Sequence, residues 1–353
     1  MCTGIRLCAK NGDVVYGRTL EFDTPVPATL GYMPRGQAFR GSTPTGNDGL
    51  AWTNDYAYGG HLGELAFGDT VLLGGGDLIN EHGLVCGIFN LPGYTAFTDV
   101  TDDNRSRIIA SWEVPSFVVG KYKTTAEARA GIKAGDFIVG ATPFPLPGKP
   151  GQFPQHVRVG DATGDTIVIE WHTANGMPTI YDSESGIIAN PPTYDFHVNN
   201  MRQFEHLSPY NPAGPFDEGT QAYKQTMGDG YLGMPGGSSS PDRFVRASLY
   251  ARDTYTGETG EDTVWVAFHI LNNFDLPPGI LRNIDAQTKA EISEYTLWTG
   301  VADTKNLCYY LRSATDNGVY KVDLNAMDPT GPKLLQDTRP NGVTRRTIEA
   351  FTE

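Results

Sequence analysis

Basic residues are in short supply in this 353-residue chain: 27 Lys and Arg face 41 Asp and Glu, a formal net charge of −14 at pH 7. A surface of that sign repels phosphate backbones and anionic bilayers at long range, which argues against nucleic acid as a partner. No apolar run nears the roughly 20 residues that cross a bilayer, and no basic region leads into an apolar stretch and a cleavage site near residue 1. Neither membrane insertion nor export is expected. The four cysteines, Cys2, Cys8, Cys86 and Cys308, are too few and too scattered for a disulfide framework, and no C-x-x-C pair is present. A reducing cytoplasm is the compartment this pattern suggests. None of the seven histidines falls in an H-x-H or H-E-x-x-H spacing, so no metal site is expected. Gly228-Asp-Gly230-Tyr-Leu-Gly233 fits the dinucleotide pattern in letters only. No strand feeds it, and Met234-Pro235 follows where a helix has to start, so it reads as a loop. Gly74-Gly-Gly76 lacks the Lys-Ser/Thr of a phosphate loop and reads as a strand end or a close backbone approach.

What the chain does have is 42 Gly, 24 Pro and a 39% hydrophobic content, enough apolar surface for a core with many turns. Short β-branched and aromatic runs predict strands at 14–20, 166–171, 179–181, 295–301, 308–312 and 319–322. The stretch 156–171 reads as a hairpin about Asp161-Ala-Thr-Gly164-Asp165, with Gly164 free to take positive φ. A second ribbon, 307–322, is expected to turn at Asp316-Asn-Gly318. Helices are expected over 106–114, with Ile108, Ile109 and Trp112 on one face and Pro115 as terminator. Others are expected from the capping box Thr124-Thr-Ala-Glu127 through Ile132, over 243–250, and over 263–271, where alternation also admits a strand. Strands at both ends with helices between them suit packed sheets covered by helices, not βαβ repeats. The long Pro- and Gly-rich connections, 141–151 and 207–240, read as insertions on one domain spanning 1–353.

The chemistry concentrates at the start of the chain. Cys2 follows Met1, and its small side chain makes methionine removal expected, which leaves a thiol and a free α-amine on one residue. An α-amine has a reference pKa of about 7.7 to 8.0 and accepts and returns protons near neutrality without a histidine. A neighbouring guanidinium would favour the thiolate.

The context of Cys2 carries more. Met1-Cys-Thr-Gly-Ile-Arg6, Tyr16-Gly-Arg18-Thr-Leu-Glu21-Phe22, Asn80-Glu-His-Gly-Leu84, Gly87-Ile-Phe-Asn90-Leu-Pro-Gly93, Ile187-Ile-Ala-Asn190-Pro-Pro192 and Ser240-Pro-Asp-Arg243-Phe-Val-Arg246 occur in order. Together they resemble the choloylglycine hydrolase family, N-terminal-nucleophile amidases that include conjugated bile acid hydrolases and penicillin V acylases. The resemblance runs over about residues 2 to 325. It implies an α+β fold, a four-layer αββα sandwich of two packed, mainly antiparallel sheets.

By the same resemblance, Cys2 would be the nucleophile with its own amine as base, and Arg18 would stand beside the thiolate. Glu21 falls where most members carry an Asp bound to the α-amine, with Asp23 as a nearby substitute. Asn90 and Asn190 match oxyanion-hole positions, and Arg243 matches a second active-site arginine, Arg246 being structural. Leu20, Phe22, Tyr56, Phe144 and Leu146 lie in segments that border the substrate pocket. No metal or organic cofactor is implied. The expected reaction is hydrolysis of a small-molecule amide, glycine- or taurine-conjugated bile acids first, through an acyl-thioester. Penicillin V or N-acyl-homoserine lactones are the alternative substrates, and a non-catalytic ligand-binding protein on the same scaffold is the alternative of another class. Residues 207–236 loosely resemble a subunit-contact region, so a homotetramer or dimer is expected.

Overall fold

A computed structural model describes residues 1–24, 29–67, 70–144, 151–211, 228–285 and 288–337. Leu146 and residues 212–227 of the expected subunit-contact segment lie outside them. Two antiparallel sheets form the centre. The first runs Cys2–Cys8, Val14–Phe22, Glu291–Asp303, Cys308–Ser313, Asp316–Asp323, with Leu281–Ile284 also paired to Glu291–Asp303. The second runs Thr179–Asp182, Thr166–Glu170, Gln155–Gly160, Val85–Asn90, Thr70–Asn80, Tyr58–Phe67, Thr29–Met33, Leu334–Asp337.

The period-2 pleat sorts the side chains. Val14 and Tyr16 join Ile79, Val85, Trp298 and Tyr309 between the sheets. Val15, between them in sequence, packs on the opposite face with Ala247, Val264 and Leu271 of helices Ser240–Asp253 and Gly260–Leu271. The outer face of the second sheet (Leu78, Cys86, Val157, Ile169) is covered by Val114 and Val118 of helix Val114–Lys121 and by Ala128 and Ile132 of helix Thr125–Ala134. The layers are therefore helix, sheet, sheet, helix.

All six expected strands are present, five of them longer than read and Thr166–Glu170 one residue shorter. The hairpin at 161–165 forms, with Gly164 at φ 85°. The later ribbon turns two residues earlier than expected: Ser313 pairs with Asp316 across Ala314 and Thr315, and Asp316-Asn-Gly318 lies inside the returning strand beside a register shift. Thr124 caps its helix by accepting from Glu127 N, and 260–271 is helical because Thr259 and Asp262 cap it reciprocally. The 106–114 helix is replaced by short 3-10 turns around a strand, Ile108–Ile109, that pairs with Ile138–Val139. Pro115 opens the following helix instead of ending one, since a first-turn residue has no N–H bond to lose. Gly74-Gly-Gly76 does not end its strand; a Cβ at Gly76 would lie 2.6 Å from the His61 ring, so it permits a close approach.

Candidate active site

Arg18 continues the face set by Val14 and Tyr16, so its side chain enters the space between the sheets. There the guanidinium donates to Cys2 Sγ at 2.9 Å, to Gly76 O at 2.9 Å and to Ile88 O. It is fully buried and lies over the rings of Phe89 and Trp298, 4.4 and 4.9 Å from their centroids. Its charge therefore has carbonyls and π faces as neighbours, and the Cys2 sulfur is held at hydrogen-bond distance.

The backbone of Cys2 is held from the other side. Ser239 caps helix Ser240–Asp253, whose first turn projects Arg243 into the core. Arg243 donates to Cys2 O, to Thr3 Oγ1 at 2.7 Å and to Asn190 Oδ1 at 2.8 Å. That same amide oxygen accepts from Cys2 N, and Asn190 Nδ2 donates to Asn90 O at 2.8 Å. An amide nitrogen carries two protons, so one N–H of Asn190 remains for another acceptor. Asn90 ends its strand, and its buried Oδ1 has no hydrogen-bond partner. Cys2, Arg18, Asn90, Asn190 and Arg243, separated by up to 241 positions in sequence, thus meet at one place. Arg246 turns away, donating to Pro235 O and Gly237 O and lying over Phe274, as a structural residue does.

Glu21 is buried next to this group but does not touch the Cys2 nitrogen while Met1 is attached. Its Oε1 accepts from Thr296 Oγ1 at 3.1 Å, and its Oε2 is buried without a hydrogen-bond partner. Burial holds its carboxyl above the usual carboxylate range, against the pull of the terminal ammonium and Arg243. The Met1 ammonium instead donates to Glu21 O and to Glu294 Oε2, the latter at 2.8 Å. Asp23 accepts from Thr24 Oγ1 at 2.9 Å.

Leu20 pairs with Cys2 in the sheet, and Phe22 follows on the same face two residues on. Phe22 meets Phe153 edge-on at 6.2 Å; Phe153 stacks on Phe144 at 4.6 Å, and Phe144 meets Trp112 at 5.0 Å. Two of the residues expected to line the pocket, Phe22 and Phe144, thus belong to one aromatic cluster with Phe153 and Trp112. Tyr56 is a correction. It packs on His82 and Lys123, next to strand Tyr58–Phe67, whose Tyr58 pairs with Asn80. Asn90 lies at the opposite end of the neighbouring strand Val85–Asn90, roughly 17 Å farther along at about 3.4 Å per residue. Tyr56 therefore belongs to the far end of the sheets.

Sequence reasoning also missed Thr3, Thr296, Glu294, His156, Glu170 and His197. His197 Nε2 donates to Asn190 O at 2.7 Å, and its ring stacks on Phe244 at 4.9 Å. Burial lowers its pKa to about 4, so it is neutral at physiological pH. None of these residues sits in a spacing that signals chemistry; each is found only through contacts that folding creates.

The layering, with a cysteine at the head of the edge strand of the first sheet, is that of an N-terminal-nucleophile hydrolase. The sequence matches the description "linear amide C–N hydrolases, choloylglycine hydrolase family" over residues 2–335, and the chain belongs to that family. It is 30% identical over 323 residues to an uncharacterized protein of Paramecium bursaria Chlorella virus 1, covering 91% of this chain and all of the other. It is 26% identical over 335 residues to bile salt hydrolase/transferase of Clostridium perfringens, 95% of each chain being covered. Penicillin V acylase of Pectobacterium atrosepticum is 24% identical over 351 residues, covering 94% of this chain and 83% of that one. Among solved structures, a conjugated bile acid hydrolase variant from Clostridium perfringens superposes with a TM-score of 0.78 at 23% identity, covering 97% of both chains. Penicillin V acylase from Agrobacterium tumefaciens gives 0.70 at 23% identity, covering 95% of this chain and 91% of that one. The protein is thus a hydrolase of linear amides acting on small molecules. No described helix is long and apolar enough to cross a membrane.

Proposed function

We propose that removal of Met1 turns Cys2 into the nucleophile of an amidase that cleaves glycine- and taurine-conjugated bile acids. The observation that carries this reading is the placement of the Arg18 guanidinium 2.9 Å from Cys2 Sγ, while Asn190 and Arg243 fix the backbone of the same residue. The thiolate attacks the amide carbonyl, and the α-amine delivers a proton to the leaving nitrogen. Water then cleaves the acyl-thioester with that amine as base. The Asn90 side-chain amide and the second N–H of Asn190 receive the oxyanion, and Arg18 stabilises negative charge on sulfur. Glu21, its Oε2 unpartnered, takes the α-ammonium once Met1 no longer separates them. Leu20, Phe22, Phe144 and Phe153 receive the apolar acyl part. Residues 1–353 act as one hydrolase domain in a reducing cytoplasm.

A specific feature favours a second substrate class. Glu294 lies where the Met1 ammonium binds, so its carboxylate borders the space that processing vacates, and with Glu21 it disfavours an anionic leaving group. N-acyl-homoserine lactones, which are neutral, fit that field better than taurine conjugates do. The test is a panel of glycocholate, taurocholate, penicillin V and an N-acyl-homoserine lactone, with released amine measured and kcat/KM compared. Turnover of the conjugates that vanishes in Cys2→Ala is expected. A preference for the lactone replaces the substrate assignment, and absence of turnover on all four removes the amidase reading and leaves a binding protein.

A further inference from the structure

Residues 187–190 belong to neither sheet and are tied to the nucleophile strand by a two-way bridge: Gly4 N donates to Ile188 O at 2.8 Å and Ile188 N to Gly4 O at 3.1 Å. The two carbonyls that follow are each met by a buried imidazole. His156 Nε2 is 3.0 Å from Ala189 O, and His197 Nε2 is 2.7 Å from Asn190 O. On its other side His156 Nδ1 stands 2.8 Å from Glu170 Oε1. Glu170 also accepts from Tyr194 N at 3.1 Å and lies 3.0 Å from His172 Nε2. Charged and titratable groups around His156 are Glu170 on the neighbouring strand, His172 just beyond that strand's end, Arg158 two residues along its own strand across the Phe89 ring, and His197 on helix Tyr194–Met201. Phe89 closes the remaining side edge-on.

Ala189 O can only accept, so His156 Nε2 carries a proton, and the one proton shared between Nδ1 and the Glu170 carboxyl completes a hydrogen bond on the other side of the ring. His156 and Glu170 are 1% and 0% exposed. Such a buried pair is a poor source of net stability compared with apolar residues of like size, yet breaking it by removing one partner is costly. A stability role alone does not explain the pair at this position, whereas geometry does: the donor at Nε2 lands one residue before the amide that touches Cys2.

We propose that His156, oriented by Glu170, is a positioning residue for the hydrolysis, its Nε2 proton fixing Ala189 O and through it the Asn190 amide beside Cys2. The inference rests on the role given to Asn190 above. Two substitutions divide the ring's functions. His156→Asn keeps a nitrogen near Nδ1 and lacks one near Nε2; His156→Gln does the reverse. With the fastest substrate of the panel, the Asn variant is expected to lose about ten- to a hundredfold in kcat with KM within about twofold, the size of loss that a misplacement of about 1 Å brings. The Gln variant is expected to regain most of it. Equal losses in both variants, or an unchanged kcat in His156→Asn, overturn the positioning role.

Asn190→Ala, assayed alongside, separates this inference from the reading beneath it. If Asn190→Ala is impaired and His156→Asn is not, only the role of His156 falls; if Asn190→Ala keeps full kcat, the site reading falls. Ring-nitrogen 15N NMR at pH 7 supplies a readout that needs no substrate. Nε2 of His156 is expected to be protonated in the parent, as donation to Ala189 O requires; an unprotonated Nε2 overturns the positioning contact.

Discussion

Each end of the paired strands Thr70–Asn80 and Val85–Asn90 carries an asparagine, and the two are used in opposite ways. Asn80 spends its whole side chain on the backbone: Nδ2 donates to Val119 O and Tyr122 O, both at 2.8 Å, and Oδ1 accepts from His82 N and Leu84 N at 3.0 Å. It closes the turn and ties the sheet to the helix above it. Asn90 leaves its buried Oδ1 without a hydrogen-bond partner, and its carbonyl anchors Asn190. The unmatched atom is an acceptor that only a donor completes, and a buried amide oxygen left so costs free energy that folding does not recover. The same residue type thus anchors a turn at one end of the sheet and carries an unmatched buried acceptor at the other, the end where the proposed chemistry lies.

Exchanging each for alanine is the strongest way to break this contrast. Asn90→Ala is expected to lower kcat by about 10² to 10³, the usual cost of one oxyanion donor, with a stability change below about 1 kcal/mol because its side-chain oxygen holds nothing in place. Asn80→Ala strands four backbone groups and is expected to lose about 3 to 5 kcal/mol in urea unfolding while kcat stays within twofold. If both variants lose stability and neither loses turnover, the division between the ends is wrong.

The first sheet was more legible in the sequence than the second, and the reason is glycine. Val14–Phe22 and Cys308–Ser313 are short runs rich in β-branched or aromatic residues bounded by turn residues, so local propensity already marks them as strands. The hairpin Tyr58–Phe67 with Thr70–Asn80 carries Gly59, Gly60, Gly63 and Gly74 to Gly76, which erase the alternation; it is a strand pair because its neighbours supply hydrogen bonds and fill the space that the glycines leave. Ile108 and Ile109 looked helical by spacing, yet a parallel pairing with Ile138 and Val139 claims them, a contact no local pattern encodes. The site divides in the same way. Cys2, Arg18, Asn90, Asn190 and Arg243 sit in motifs whose order carries the family resemblance. His156, Glu170 and His197 are single residues whose part is set by partners 7 to 33 positions away, and nothing in their spacing announces it.

Acid acts in opposite senses on two buried groups beside the Asn90 end. His197 has its pKa lowered to about 4, so below its ordinary value near 6.5 the unfolded chain takes up a proton that the folded chain refuses. Its contribution to stability is present above pH 6.5 and is lost as pH falls toward 4, by on the order of 3 kcal/mol. Glu21 works in the opposite sense: its raised carboxyl favours folding below the normal carboxylate pKa, and that favour is lost as pH rises through the folded value. Urea unfolding at pH 7, 5.5 and 4.5 is expected to show a decline in the parent that His197→Gln flattens. An identical slope in both proteins puts the acid sensitivity elsewhere.

The smallest effect concerns the aromatic residues of the two ends. Phe153 is held between Phe144 and Phe22 on the face that Arg18 and Leu20 begin, so Phe153→Ala removes a panel of the apolar wall and is expected to raise KM about five- to tenfold, as a loss of about 1 to 1.5 kcal/mol in binding does. Tyr56 contacts His82 and Lys123 beside the Asn80 turn, and Tyr56→Ala is expected to leave kcat and KM within twofold. The comparison is steady-state kinetics on one substrate with both variants. A KM increase in Tyr56→Ala equal to that of Phe153→Ala means the acyl group reaches the far end of the sheets, and the distinction between the ends then fails for binding even where it holds for catalysis.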